Sequence, residues 1–173
     1  MTDVRFGRHT FSLHLPGRVA NLGNRLARAR YFRGHGVHSP YVYAIVREVF
    51  MRHTLLEGDR SLYETLSRAG VPHRRAVQLQ NLAIHCHCAT WSLNRADADL
   101  CVALRDLPRQ ETLALVRAAA AARHTVVVMS PYEGRERQAL CAQIVAEHRS
   151  TTVDNRGYLI VFNNHLPKQH FRI

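Results

Sequence analysis

Arg33, His35, His38 and Ser39 stand together in "RGHGVHSPYVY", residues 33–43. Imidazoles titrate near neutral pH and offer ring nitrogens as donors or acceptors, so a loop carrying two of them can line a ligand pocket. These four residues are therefore the candidate ligand contacts. A purely structural account covers part of the same stretch. Gly34 and Gly36 permit a tight connection. The Ser39 hydroxyl can accept an orphan backbone N–H, while Pro40 takes the first helical position, where its missing donor costs nothing. His35 and His38 are left over, either bonding nearby backbone to lock the loop or facing a ligand. No residue of the stretch is assigned a catalytic role.

"HCHC", residues 85–88, raises the question of zinc. Read as part of a strand, His85 and His87 face one side and Cys86 and Cys88 the other, giving two pairs in place of one four-ligand cluster. Structural zinc sites space paired cysteines by roughly two to four residues, and no second Cys-x-x-Cys exists. Cys101 on a neighbouring strand, or His73 upstream, would have to complete a site. The expectation is buried cysteines, a partly exposed histidine pair and no metal. None of the 12 histidines has a spacing that marks it as the base for a cysteine nucleophile. Gly-x-Ser-x-Gly, a phosphate-binding loop and His-Glu-x-x-His are all missing from the sequence. Trp91, in "TWSLNR", is read as packing and not as a ligand-stacking residue. The aromatics Tyr31, Phe32, Tyr41 and Tyr43 flank Arg33 and could stack bases, but are expected on the core and helix surface.

The formal net charge of +11 favours polyanions by long-range attraction. Arg18, Arg25, Arg28, Arg30 and Arg33 fall in one short segment, a candidate surface for nucleic acid or an anionic ligand. Lys168 is the only lysine, and GC-rich coding produces the same arginine bias without selection for binding. No stretch approaches the roughly 18 apolar residues of a membrane span, and the first thirty residues lack an apolar signal core. A cytoplasmic protein with four reduced cysteines, no disulfide and no membrane partner is expected.

The elements that must position these residues follow from periodicity. At 173 residues the chain is read as one domain: an N-terminal arm over 1–17, a helical region over 18–70 and a sheet region over 71–173. A first helix is predicted from Val19 to Tyr31. A second begins at Ser39-Pro40, with Val42, Ile45, Val46, Val49 and Phe50 inward. A third spans Ser61 to Ala69, stopped by Gly70. "AVQLQNLAIHCHC" reads as a partly alternating strand, with Val77 and Leu79 on one face. "ADLCVAL" and "TVVVMS" read as buried parallel strands. Between those two, "PRQETLALVRAAAAARH" is a helix with Leu113, Val116 and Ala120 inward. "RERQALCAQIVAEH" is another, with Leu140, Ile144 and Val145 inward. "TTVDNRGYLIVFNN" is a hairpin turning at Asn155-Arg156-Gly157, and "KQHFRI" adds one more strand. The order is α/β: a mostly parallel sheet of about five strands, with an antiparallel C-terminal hairpin and N-terminal helices.

"RARYFRGHGVHSPYVYAIVREVF" resembles the N-terminal signature of a bacterial family of class I S-adenosylmethionine-dependent O-methyltransferases. "STTVDNRGYLIVFNNHLPKQHFRI" resembles that family's terminal strands, and Thr125 to His148 does so more loosely. The resemblance implies a Rossmann-like sheet and, in an active member, S-adenosylmethionine as cofactor. Such enzymes seat the cofactor on a glycine-rich turn after the first strand, where only glycine lets backbone approach it closely, with an acid after the second strand. Here no glycine lies between Gly70 and Gly134. Gln78, Gln80 and Asn81 stand where the cofactor turn is expected, and Met129, Ser130 and Pro131 where aspartates are typical. The interval between "AVQLQNLAI" and "ADLCVAL" holds too few residues for the strand and helix pairs that usually intervene there. The resemblance therefore implies the fold without the cofactor site: a non-catalytic relative acting by binding or assembly. An active methyltransferase with a rebuilt pocket and a basic nucleic-acid-binding module are the alternatives. Loss of strands would bare a sheet edge, predicting a homodimer or cover from the N-terminal arm.

Overall fold

The computed structural model describes the backbone of residues 3–6 and 9–12, and residues 37–173 in full. β1 (Asp3–Phe6) and β2 (His9–Ser12) pair antiparallel within the expected arm. The predicted helix from Val19 to Tyr31 lies outside the described residues.

α1 (Pro40–Ile45) starts as its sequence dictates, with the Val42 amide donating to Ser39 Oγ at 3.4 Å and proline in the first turn. Its apolar stripe continues through a π-helical turn over Val46–Phe50, and all five predicted inward residues are buried. α2 (Ser61–Arg68) buries Leu62 and Leu66 and ends at Gly70, whose φ of +77° suits glycine. Ala69 is exposed.

The segment predicted as a strand from Ala76 to Cys86 is instead α3, a helix over His73–His85. Its run from Ala76 to Ala83 is buried on every side, so neither a 3.6-residue nor a two-residue period marks it. The intervening Gln78, Gln80 and Asn81 do not face water, as half-buried alternation would require. Each reaches backbone of the preceding segments. Gln78 Nε2 donates to Phe50 O and Gln80 Oε1 accepts Tyr63 N. Asn81 accepts Leu56 N and donates to Thr54 O.

The first strand of the main sheet is β3 (Trp91–Leu93), within a segment too polar and short to announce itself. β4 (Leu100–Ala103), α4 (Arg109–Ala122), β5 (Thr125–Met129) and α5 (Gly134–Glu147) follow as predicted. So do β6 (Thr152–Asp154), β7 (Tyr158–Val161) and β8 (His170–Arg172). The sheet has six strands in the order β3-β4-β5-β7-β6-β8. β7 is antiparallel to both neighbours and the other five strands are mutually parallel.

Alternation along the strands divides the core in two. Leu100, Val102, Val127, Met129, Tyr158 and Ile160 pack beneath α1, α2 and α3. Cys101, Ala103, Val126, Val128, Leu159 and Val161 meet α4 and α5 on the other face. α4 presents Thr112, Leu115, Val116 and Ala119, a face turned by about one residue from the predicted Leu113, Val116 and Ala120. Leu140 and Ile144 of α5 are buried as predicted, while Val145 is half-buried. The sheet edges β3 and β8 are each only three residues long, a common way of blunting an edge. No described helix is long and apolar enough to cross a membrane.

Candidate functional site at the carboxyl ends of the strands

In open α/β sheets ligands bind in the crevice beyond the carboxyl ends of the parallel strands. Here that rim is formed by Asn94 after β3, Leu104 after β4, Ser130 after β5 and the 155–157 turn after β6. Asn94, Ser130 and Arg156 hold positive φ angles of 56°, 54° and 71°. Non-glycine residues reach that region sparsely, and such strain gathers where geometry is over-determined.

β3 and β4 are parallel neighbours joined by residues 94–99 alone, although a parallel crossover ordinarily takes a dozen or more residues and a helix. The six-residue link is tied down at each step. Asn94 N donates to Val102 O and Asn94 Oδ1 accepts Leu104 N, both at 2.8 Å. Arg95 pairs with Asp97, and His124 Nδ1 lies 3.2 Å from Ala96 O. Asp99 accepts the amide and hydroxyl of Thr90, which hold its carboxyl below the usual carboxylate range. The mouth between β3 and β4 is thus bridged by the Asn94 side chain.

The rim facing α3 is polar and arginine-rich. Arg75 Nη1 donates to Gln78 Oε1 at 2.9 Å and lies 3.5 Å from Asn155 Oδ1. The guanidinium carbon stands 5.7 Å from the Tyr158 ring centre. Burial, with Arg74 and Arg156 close by, lowers the Arg75 pKa from its usual value. The Tyr158 hydroxyl donates to Gln78 Oε1, and complete burial raises its pKa.

On the opposite face, a cavity of about 230 Å³ opens between α5 and the β6–β8 edge, lined by Tyr132, Cys141, Asp154, His170 and Arg172 among others. The Tyr132 hydroxyl donates to Asp154 Oδ2. Burial pushes the Cys141 thiol up to about 11, which keeps it protonated and unreactive.

Of the residues singled out from sequence, Arg33 and His35 lie outside the described residues, as do Arg18, Arg25, Arg28, Arg30, Tyr31 and Phe32. His38 is exposed and Ser39 serves as the cap of α1. Gln78, Gln80 and Asn81 sit inside a helix and not in a turn after a strand. The position that follows the first strand of the main sheet belongs to Asn94. The proposed strand faces of "HCHC" are likewise replaced: His85 ends α3, Cys86 caps it and His87 turns the chain with φ of 55°. Cys86 and Cys88 pack against the core, Cys86 Sγ lying 3.6 Å from the Tyr41 hydroxyl. Burial pushes the Cys88 thiol up to about 12. Among the described residues no three histidine, cysteine or acidic side chains are placed to hold a metal. Trp91 packs against the core, its Nε1 donating to Ser61 Oγ at 3.0 Å. Tyr41 packs edge-on to Phe162, and Tyr43 is exposed. Sequence reasoning missed Asn94, whose signal is an asparagine beside a short polar link, and Arg75, which carries no local signal.

The class these features define is a three-layer α/β protein, with a mostly parallel six-stranded sheet between two helical layers. No protein-family model, curated protein or solved structure matches the chain.

Proposed function

We propose that this chain is a methyltransferase-like protein that does not seat S-adenosylmethionine and acts by binding or assembly, without catalysis. The observation that carries the reading is the 94–99 link, with Asn94 Oδ1 fastened to the Leu104 amide between the ends of β3 and β4. A cofactor lying there would have to displace a left-handed, doubly bonded asparagine from a loop containing no glycine. The buried amides of Gln78, Gln80 and Asn81 support the reading differently from the sequence expectation: they are committed to holding backbone within the helical layer.

Calorimetric titration with S-adenosylmethionine and S-adenosylhomocysteine tests it. No heat of binding is expected for either compound. Saturable micromolar binding would overturn the proposal and restore an enzyme with a rebuilt pocket.

A further inference from the structure

We infer that the cavity between α5 and the β6–β8 edge binds a small carboxylic acid with a compact apolar body, taking the carboxylate at Arg172. The inference does not rest on loss of the cofactor site, because β8 and β3 are opposite edges of the sheet.

The cavity stands where an α/β sheet offers room to a ligand, at the carboxyl ends of parallel strands. Pro131 and Tyr132 follow β5, while Asp154 and Arg172 end β6 and β8 and are partners in register. α5 supplies Gln138, Cys141, Ala142 and Val145, which recur at three- and four-residue intervals and so form one stripe of its surface. Strand alternation sends Val153 and Phe171 to the core beneath α1, α2 and α3. Thr152, Asp154, His170 and Arg172 are thereby left on the α5 side. A mostly apolar wall meets a polar one across about 230 Å³, with Leu159 of β7 also lining the space. Roughly 150 Å³ accommodates a benzene ring, so this volume admits one ring or branched chain carrying a small polar group.

The polar wall decides which group that is. Asp154 is buried and accepts the Arg156 amide and the Tyr132 hydroxyl, so the acid of the wall is held by donors of the protein itself. His170 Nδ1 lies 2.8 Å from Thr152 Oγ1, and its Nε2 accepts Arg172 Nε at 3.4 Å. This chain of contacts from β6 through His170 fixes the root of the guanidinium. Arg172 Nη1 and Nη2 make no hydrogen bond or ion pair with described residues. Gln138, exposed on the α5 side of the cavity, adds an amide donor. A planar fork with its outer nitrogens open, beside an apolar stripe, suits a carboxylate attached to a small hydrocarbon.

The test is an NMR titration of the full chain with sodium benzoate at low ionic strength, with benzamide and acetate as controls. Saturable shifts at millimolar benzoate are expected, centred on the amides of Gln138, Cys141, Ala142 and Arg172. Benzamide lacks the charge and acetate lacks the ring, so each is expected to bind at least about tenfold more weakly. Arg172→Gln, at an exposed position, is expected to weaken benzoate about tenfold and to leave benzamide unchanged. Val145→Trp, at a half-buried position, fills the cavity from the helix side. It is expected to remove the response to benzoate and serves if Arg172→Gln fails to fold. No saturable response to millimolar benzoate, equal affinity for benzamide, or undiminished affinity in either folded variant overturns the inference.

Discussion

Asn94 Oδ1 accepts the Leu104 amide at 2.8 Å, tying the residue after β3 to the residue after β4. The bond spans the mouth between two parallel neighbours that a six-residue link joins without a crossover helix. Asn94→Gly keeps the left-handed backbone and removes only the side-chain bond, so a loss of about 1 kcal/mol is expected in urea unfolding. Asn94→Val must also place a β-branched residue at φ of 56° and should lose at least about 2 kcal/mol. Equal stability of the two variants would mean that the backbone conformation carries no cost.

Asn81 joins α3 to the irregular segment before α2 by accepting Leu56 N and donating to Thr54 O, each at 2.9 Å. Asn81→Leu nearly preserves volume but leaves both backbone groups unpaired, with an expected cost of about 2 kcal/mol. Hydrogen exchange at the Leu56 amide should accelerate in the same variant. Unchanged exchange there would show that the side chain does not hold the segment.

How far these relationships could be read from sequence depends on which residues announce their environment. The C-terminal strands are legible because Val126 to Val128 and Tyr158 to Val161 are unbroken apolar runs in a sheet covered on both faces. The cap at Ser39 and the stop at Gly70 are legible because few residue types satisfy those backbone demands. α3 is misread for the opposite reason. Its polar residues are buried by partners up to 80 positions away, and no local pattern encodes that. The error at α3 displaces the expected cofactor turn onto Gln78, Gln80 and Asn81. The short β3 then passes unnoticed, although the residue beside it bridges the crevice.

Arg137 is buried without a carboxylate partner among the described residues, its guanidinium spread over the carbonyls of Leu104, Leu107 and Met129 and the Thr112 hydroxyl. It clamps α5 to the ends of β4 and β5, satisfying acceptors that the sheet leaves open there. Arg137→Met would match the stem but abandon those carbonyls, for an expected loss of about 3 kcal/mol. Arg137→Lys keeps the charge but cannot reproduce the planar fork, so it should recover only part of that loss. Full recovery by lysine in thermal or urea unfolding would show that charge, and not the fork, is what the site requires.

His148 follows α5 and its Nε2 lies 2.8 Å from Phe162 O, consistent with a neutral ring donating from that nitrogen. Burial lowers its pKa below the ordinary value of 6.5, outweighing the carbonyl contact that favours the charged form, while Lys168 nearby lowers it further. Below pH 6.5 the unfolded chain therefore takes up the proton before the folded one does. The stability contributed by the neutral ring is complete above that pH and declines as pH falls toward the lower folded value. His148→Gln retains an N–H donor for Phe162 but cannot titrate. The stability difference between native chain and variant should be constant above pH 6.5 and shift toward the variant below it. A difference that stays flat through the acidic range would show that the imidazole is not held neutral by the fold.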